Sequence, residues 1–210
     1  MKQIFWRIKI TNIICLDGCP GTGKSTQCNL LREYFREYRV NGLVIVEKNY
    51  EPFKSLVRSW WSNRSDEWLF TEKQIQDFAV ARGETFRRHF SNRPDLDLLV
   101  IDRYIYTSGV YQRNKEGITP EDIIELNLQR GAPLPDLSLL LDCNADISYE
   151  RIRKRDILTR KNEVFAISLE RMKHIRNRYL SLLRSRKELI RVETNRSPEE
   201  IHQDIITLIC

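Results

Sequence analysis

No apolar run in the 210-residue sequence approaches the roughly 18 to 20 residues that a membrane-spanning helix needs, so an integral helical-membrane protein is excluded. Cysteine is sparse: Cys15, Cys19, Cys28, Cys143 and Cys210 form an odd set without a CxxC pair or nearby histidines. That pattern offers neither a disulfide framework nor a zinc-ligand spacing, and it suits thiols in a reducing compartment. Eight glycines and seven prolines are too few for a fibrous or low-complexity chain, and 41% hydrophobic residues are too many for disorder. Met1 to Thr11 alternates Lys2, Arg7 and Lys9 with apolar residues where a secretory signal would have an apolar core, so a soluble, cytoplasmic protein is expected. What remains is enough apolar material for one sizeable core, and residues 1–210 are expected to form a single compact domain.

The net charge is +6, from 35 basic and 29 acidic residues, but it is not spread evenly. Arg151 to Arg196 carries 15 basic and 5 acidic residues, so the rest of the chain is slightly acidic. A nucleic-acid-binding protein would interleave aromatic stacking platforms with such charge; only Phe165 and Tyr179 occur there. No nucleic-acid or membrane partner is therefore expected.

Short continuous apolar runs occur at Asn12–Leu16, Leu43–Val46, Leu98–Ile101, Leu137–Leu141 and Leu189–Val192. Helical periodicity marks Lys24–Tyr38, Phe53–Trp61, Glu72–Phe90, Pro120–Arg130, Ile147–Arg155, Ser168–Arg186 and Pro198–Ile209. Strands without alternation, separated by helices, predict a three-layer α/β/α fold: a five-stranded parallel sheet covered by helices on both faces. Trp60, Trp61 and Trp68 are expected in the core, with a surface role as the alternative.

Between the first strand and the first helix stands Gly18-Cys19-Pro20-Gly21-Thr22-Gly23-Lys24-Ser25, followed by Thr26, a match to GxxxxGK[ST] in the context its physics requires. Glycines let successive backbone N–H groups turn inward around phosphates, and the helix N-terminus adds its positive dipole end. This P-loop makes 18–26 the candidate ATP site. Lys24 is positioned for the β- and γ-phosphates and the Ser25 hydroxyl for Mg²⁺. The strand Leu98–Ile101 ends in Asp102, the second candidate metal ligand, so Mg²⁺ with ATP is the expected cofactor.

Asp102-Arg103-Tyr104-Ile105-Tyr106-Thr107-Ser108-Gly109-Val110-Tyr111-Gln112 resembles the DRYxxSxxAYQ signature of the thymidylate kinase family. The resemblance covers nearly the whole chain. Asp17-Gly18 through Gln27 is similar to the EG…GKSTQ segment, Phe78 to Arg82 to the LFxAxR helix, and Leu134 to Asp142 to the LPDLTxxLD strand. Glu150 to Arg155 and Arg176 to Leu180 resemble the lid and its following helix. A P-loop nucleoside monophosphate kinase with ATP and dTMP as substrates, and a homodimer, are what the resemblance implies. It implies that Phe78 stacks on the acceptor base, that Arg82 lies near the base and phosphate, and that Arg103 grips the acceptor phosphate. Thr107, Tyr111 and Gln112 would line the sugar and base. Arginine's planar fork suits such a dianion.

The basic segment 151–165 reads as the lid. The family supplies transition-state cations from the P-loop or from the lid; the P-loop position here is Gly21, which leaves Arg153, Arg155 and Arg160 as candidates. Departures from the family pattern concentrate on the acceptor side. Pro20 replaces an acidic P-loop residue, Asp17 stands for glutamate, and Lys48 is the one cation where an arginine is expected before Glu51-Pro52. A deoxynucleoside kinase, with Glu47 or Glu51 as base, is the nearest alternative; a P-loop nucleic-acid-binding protein belongs to another class.

Overall fold

The computed structural model describes residues 12–63, 68–93, 95–159 and 168–209. Five strands form one sheet: β1 (Asn12–Asp17), β2 (Gly42–Val46), β3 (Leu98–Asp102), β4 (Leu137–Asp142) and β5 (Leu189–Glu193). All pairings are parallel, in the order β2-β3-β1-β4-β5. Parallel neighbours require crossovers, and helices supply them: α1 (Lys24–Glu37), α2 (Phe53–Asn63), α3 (Glu72–His89), α4 (Ile105–Tyr111), α5 (Pro120–Gln129), α6 (Ala145–Thr159) and α7 (Leu169–Ser185), with α8 (Pro198–Ile209) following the last strand.

Alternation along β1 sorts the core into two layers. Ile14 and Leu16 face α1 and α8, packing with Leu31, Phe35, Ile201 and Ile205. Ile13 and Cys15 face the opposite way, among Phe86, Tyr104, Met172, Ile175 and Tyr179 of α3, α7 and the β3–α4 junction. Both faces of the sheet are thus buried, which is why its strands read as unbroken apolar runs. The expected three-layer α/β/α architecture is the one observed. A third cluster, Phe53, Phe70, Ile75, Phe78, Ala81 and Ile123, joins α2, α3 and α5 beside the sheet.

Two elements had no signal in the sequence. Helix α4 reads Ile-Tyr-Thr-Ser-Gly-Val-Tyr and is buried at five of its seven positions, so no polar face gives it a period. A single 3₁₀ turn, η1 (Glu47–Asn49), follows β2 and is too short to show one. The capping boxes at Thr71/Gln74 and Thr119/Asp122 fix the starts of α3 and α5. Trp60, Trp61 and Trp68 correct one expectation, because none of the three is fully buried. Trp60 stacks on Phe70 at 4.4 Å between centroids, and Trp61 is exposed. Among the described residues no helix is long and apolar enough to cross a membrane.

Candidate active site

The chain leaves β1 at Asp17 and turns at once into the glycine loop, which ends on the first residue of α1. Gly18 has φ +141°, and a Cβ there would stand 2.3 Å from the Leu141 carbonyl oxygen. Gly21 has φ +80° and would place a Cβ 2.3 Å from the Ser148 carbonyl oxygen, because the loop is wedged against the start of α6. Backbone approach this close, in this region of φ, admits only glycine. The loop is closed by its own side chains. Thr22 Oγ1 donates to the Cys19 carbonyl (3.0 Å), and Lys24 Nζ donates to the same carbonyl (2.6 Å) and to Thr22 Oγ1 (3.2 Å).

Lys24 is buried, and burial first, with the Arg103 guanidinium second, brings its pKa down to about 7. A phosphate chain would restore the charge. Ser25, next along α1, is exposed. The Cys19 thiol is pushed up to about 11 by burial, so this loop cysteine is protonated and unreactive at neutral pH.

Asp102 closes β3 in register with Leu16 of β1, which sets its carboxylate beside the loop. It is 9% exposed, and Oδ1 has no hydrogen-bond partner among the described residues. A buried carboxylate oxygen without a partner is costly unless a cation or donor arrives. Asp142 closes β4 on the other side of β1, and its strand ends in a carboxylate in the same way, with no signal in the sequence to tell the two apart. The structure separates the two. Asp142 is saturated by Arg176 (2.7 and 2.9 Å) and by Arg191 (2.9 Å), leaving Asp102 as the open one.

Arg103 has φ +66°, a conformation rare for a residue with a side chain. Its backbone N–H donates to Leu16 O (3.0 Å), Nη1 donates to Gly18 O (3.1 Å), and the guanidinium lies 5.7 Å from the Tyr111 ring centroid. Burial works against its charge, but Tyr111, Tyr179, Asp102 and Asp17 outweigh that and hold it firmly protonated. Lys24, Asp102 and Arg103 therefore converge on the mouth of the loop.

Other candidates are placed less directly. Asp17 is fully buried and accepts from Cys15 Sγ (2.9 Å), from Thr107 Oγ1 and from the Tyr179 hydroxyl (3.2 Å), so its side chain braces β1 against α4 and α7. Tyr179, on the apolar face of α7, was missed because its periodicity reads as core. Phe78 is 6% exposed, edge-on to Phe53 (5.6 Å) and Phe70 (5.5 Å). Gln112 is 3% exposed with Oε1 unpartnered among the described residues. Arg82 is held by Glu47, Ser108 and Asn127. Lys48 is exposed on η1, outside this convergence. Arg153 and Arg155 are exposed on α6, paired with Glu150 (3.6 Å) and Asp156 (3.1 Å). Arg160 and the rest of the expected lid through 165 lie outside the described residues.

The thymidylate kinase family model matches residues 16–205. Thymidylate kinase from Leptospira borgpetersenii serovar Hardjo-bovis is 32% identical over 199 residues, covering 93% of this chain and 91% of that protein. The probable thymidylate kinase of Thermococcus onnurineus is 32% identical over 205 residues, covering 93% and 96%. Among solved structures, thymidylate kinase from Ehrlichia chaffeensis superposes with a TM-score of 0.67 over 96% of this chain and all of that one; at 19% identity the likeness speaks for the fold.

Proposed function

Since the chain belongs to the thymidylate kinase family, we propose that it transfers the γ-phosphoryl group of ATP to dTMP, giving ADP and dTDP. The observation that carries this reading is the convergence of Lys24, Asp102 and Arg103 at one loop mouth: a phosphate cradle, a carboxylate with one oxygen unpartnered among the described residues, and a guanidinium. Phosphoryl transfer asks for positioning and charge neutralisation, and this set supplies both.

Residues 18–26 would hold the donor phosphates, with Lys24 leaving the Cys19 carbonyl for them. The open Oδ1 of Asp102 and the exposed hydroxyl of Ser25 fit Mg²⁺, which when bound neutralises phosphate charge. Arg103 would grip the acceptor phosphate, while Phe78, Thr107, Tyr111 and Gln112 form the acceptor's wall. Asp17 would act through Thr107 and Tyr179. Lys48, and the lid arginines Arg153, Arg155 and Arg160, would reach the nucleotides only on closure. We further propose one kinase domain spanning the chain, a homodimer and a cytoplasmic setting.

The deoxynucleoside kinase alternative needs an unengaged carboxylate base. Glu47 gives both oxygens to Arg82, and Glu51 is exposed and accepts the Ser55 N–H (3.1 Å), so the geometry favours the monophosphate kinase. The test is coupled ADP release with dTMP, dUMP, UMP, CMP, dGMP and thymidine. Turnover of dTMP is expected; no turnover of any monophosphate refutes the reading, and turnover of thymidine alone selects the alternative.

A further inference from the structure

Four basic residues to which the transfer gives no task gather where the segment after α4 meets α7. Arg171, His174 and Arg178 stand three and four positions apart on α7 and so share one face of that helix. Arg113 belongs to the segment after α4, and backbone hydrogen bonds fix its place. Its N–H donates to Tyr111 O (2.8 Å), and its carbonyl accepts the Phe70 N–H (2.7 Å). The Asn114 side chain closes the segment by donating to Ile118 O and accepting from Ile118 N (2.9 Å each). Trp68, two residues before Phe70, lies under the Arg171 guanidinium at 4.2 Å from the ring centroid.

These cations repel one another. Burial first, and the Arg113 guanidinium second, lower the pKa of Arg171, His174 and Arg178 alike. Among the described residues no carboxylate forms an ion pair with Arg113, Arg171 or Arg178. Glu121 of α5 acts on Arg178 only from farther off, and its Oε1 accepts from Ser185 Oγ (3.2 Å). Arg178 Nη2 donates to Gly109 O (2.7 Å), but its Nε is buried without a partner among the described residues. Like charges held together and a buried N–H without an acceptor both oppose folding, and an oxyanion would relieve both.

We propose that Arg113, Arg171 and Arg178 form a second anion site, separate from the P-loop and the acceptor pocket, that takes a chain of two or three phosphates, free or as the tail of a nucleotide. Guanidinium planes present paired N–H donors that suit phosphate oxygens, and three of them outweigh the charge of a single phosphate group, about −2. The backbone holds Arg113 and the Trp68 ring supports Arg171, so little ordering is lost on binding. A bound chain would tie the segment after α4 to the first turns of α7. Which nucleotide the enzyme phosphorylates has no bearing on this site.

The test is titration calorimetry with inorganic tripolyphosphate on the full chain, saturated with ADP and dTMP in magnesium-free buffer so that both nucleotide sites are filled. One tripolyphosphate per chain is expected to bind, and Arg113→Gln/Arg171→Gln should weaken binding about tenfold or more. Without ligand the same variant should melt no lower than wild type, because it removes repulsion, and its turnover of ATP and dTMP should stay within about threefold. No saturable binding to the wild type overturns the proposal, as does unchanged affinity in the variant. A larger loss of turnover, or displacement of the probe by further ADP or dTMP, would place these cations in the nucleotide sites and equally overturns it. Should the double variant fail to fold, Arg113→Glu alone, at an exposed position, must weaken binding as much or the proposal falls. A parallel titration with GTP identifies the source of the chain: equal affinity means that the phosphates alone are read, and tighter binding means that they are read as a nucleotide's tail.

Discussion

Replacing Lys24 by methionine should cut turnover severely and yet make the nucleotide-free protein harder to melt. In the folded chain the Lys24 ammonium is buried, and its pKa falls from the ordinary 10.5 to about 7. Between those two pH values the unfolded chain holds a proton that the folded chain lacks, so this lysine makes stability rise with pH across the window. Below pH 7 the cost is complete, and a gap of this size corresponds to about 5 kcal/mol. That is an upper bound on the gain from Lys24→Met, because the hydrogen bonds to Cys19 O and Thr22 Oγ1 go too, each worth roughly 1 kcal/mol. A net ~2 to 3 kcal/mol remains, or about 5 to 10 °C for a chain of this size. The assay is thermal melting of both proteins without nucleotide from pH 6 to pH 10. The variant should melt higher at pH 6, and its advantage should shrink as the pH climbs toward 10. ATP should raise the melting temperature of the wild type alone, and kcat of the variant should fall by about two to three orders of magnitude. A variant that melts lower than wild type at pH 6, or an advantage that ignores pH, refutes the reasoning that the loop holds its lysine at a cost which phosphate repays.

Asp102→Asn should leave the fold intact, because Oδ1 has no partner to lose among the described residues, while turnover drops at least 100-fold and the magnesium requirement shifts to higher concentration; an unchanged magnesium titration contradicts the assignment. Gly21→Ala puts a Cβ 2.3 Å from the Ser148 carbonyl at φ +80°, so ATP binding, followed by calorimetry, should weaken at least tenfold; wild-type affinity would mean that the loop and α6 can part without cost. Tyr179→Phe removes the hydroxyl that reaches Asp17 (3.2 Å) and Thr107 (3.0 Å), and it should lower stability by about 1 kcal/mol in denaturant melts while kcat changes less than threefold. A larger loss of kcat than of stability would place Tyr179 in contact with substrate.

The parts of this molecule that the sequence made legible are those whose physics is local. Strands buried on both faces announce themselves as apolar runs, and GxxxxGK[ST] encodes a backbone conformation through its glycines, so the sheet, its helical layers and the loop could be read residue by residue. Asp102 was legible because its strand ends there; Asp142 ends a strand identically, and only the through-space approach of Arg176 and Arg191 distinguishes a saturated carboxylate from an open one. Glu47 and Arg82 are 35 positions apart, and nothing in either neighbourhood encodes their pairing. Helix α4 was hidden for the opposite reason, since burial on nearly every side erases the polar stripe that reveals a helix.

Charge shows the same division between composition and geometry. The basic excess spans 151–196, with the lid expected at 151–165, and the folded chain divides that excess among different tasks. Arg176 and Arg191 hold Asp142, Arg151 donates to the Thr194 carbonyl (2.9 Å), Arg178 to the Gly109 carbonyl (2.7 Å), and Arg186 and Arg196 pair with Glu125 and Asp204. These six join α6, α7, β5 and the segment after β5 to their surroundings, and moving any of them would break a contact the fold uses. Arg153 differs. It stands exposed on α6 and pairs with Glu150 of its own helix (3.6 Å), a contact that contributes little in water and exchanges readily for phosphate. A cation that must swing onto a transferring phosphoryl group has to be one whose resting partner is cheap to leave. By that criterion the count of arginines in the segment overstates the catalytic charge, and Arg153 meets the criterion where those six do not.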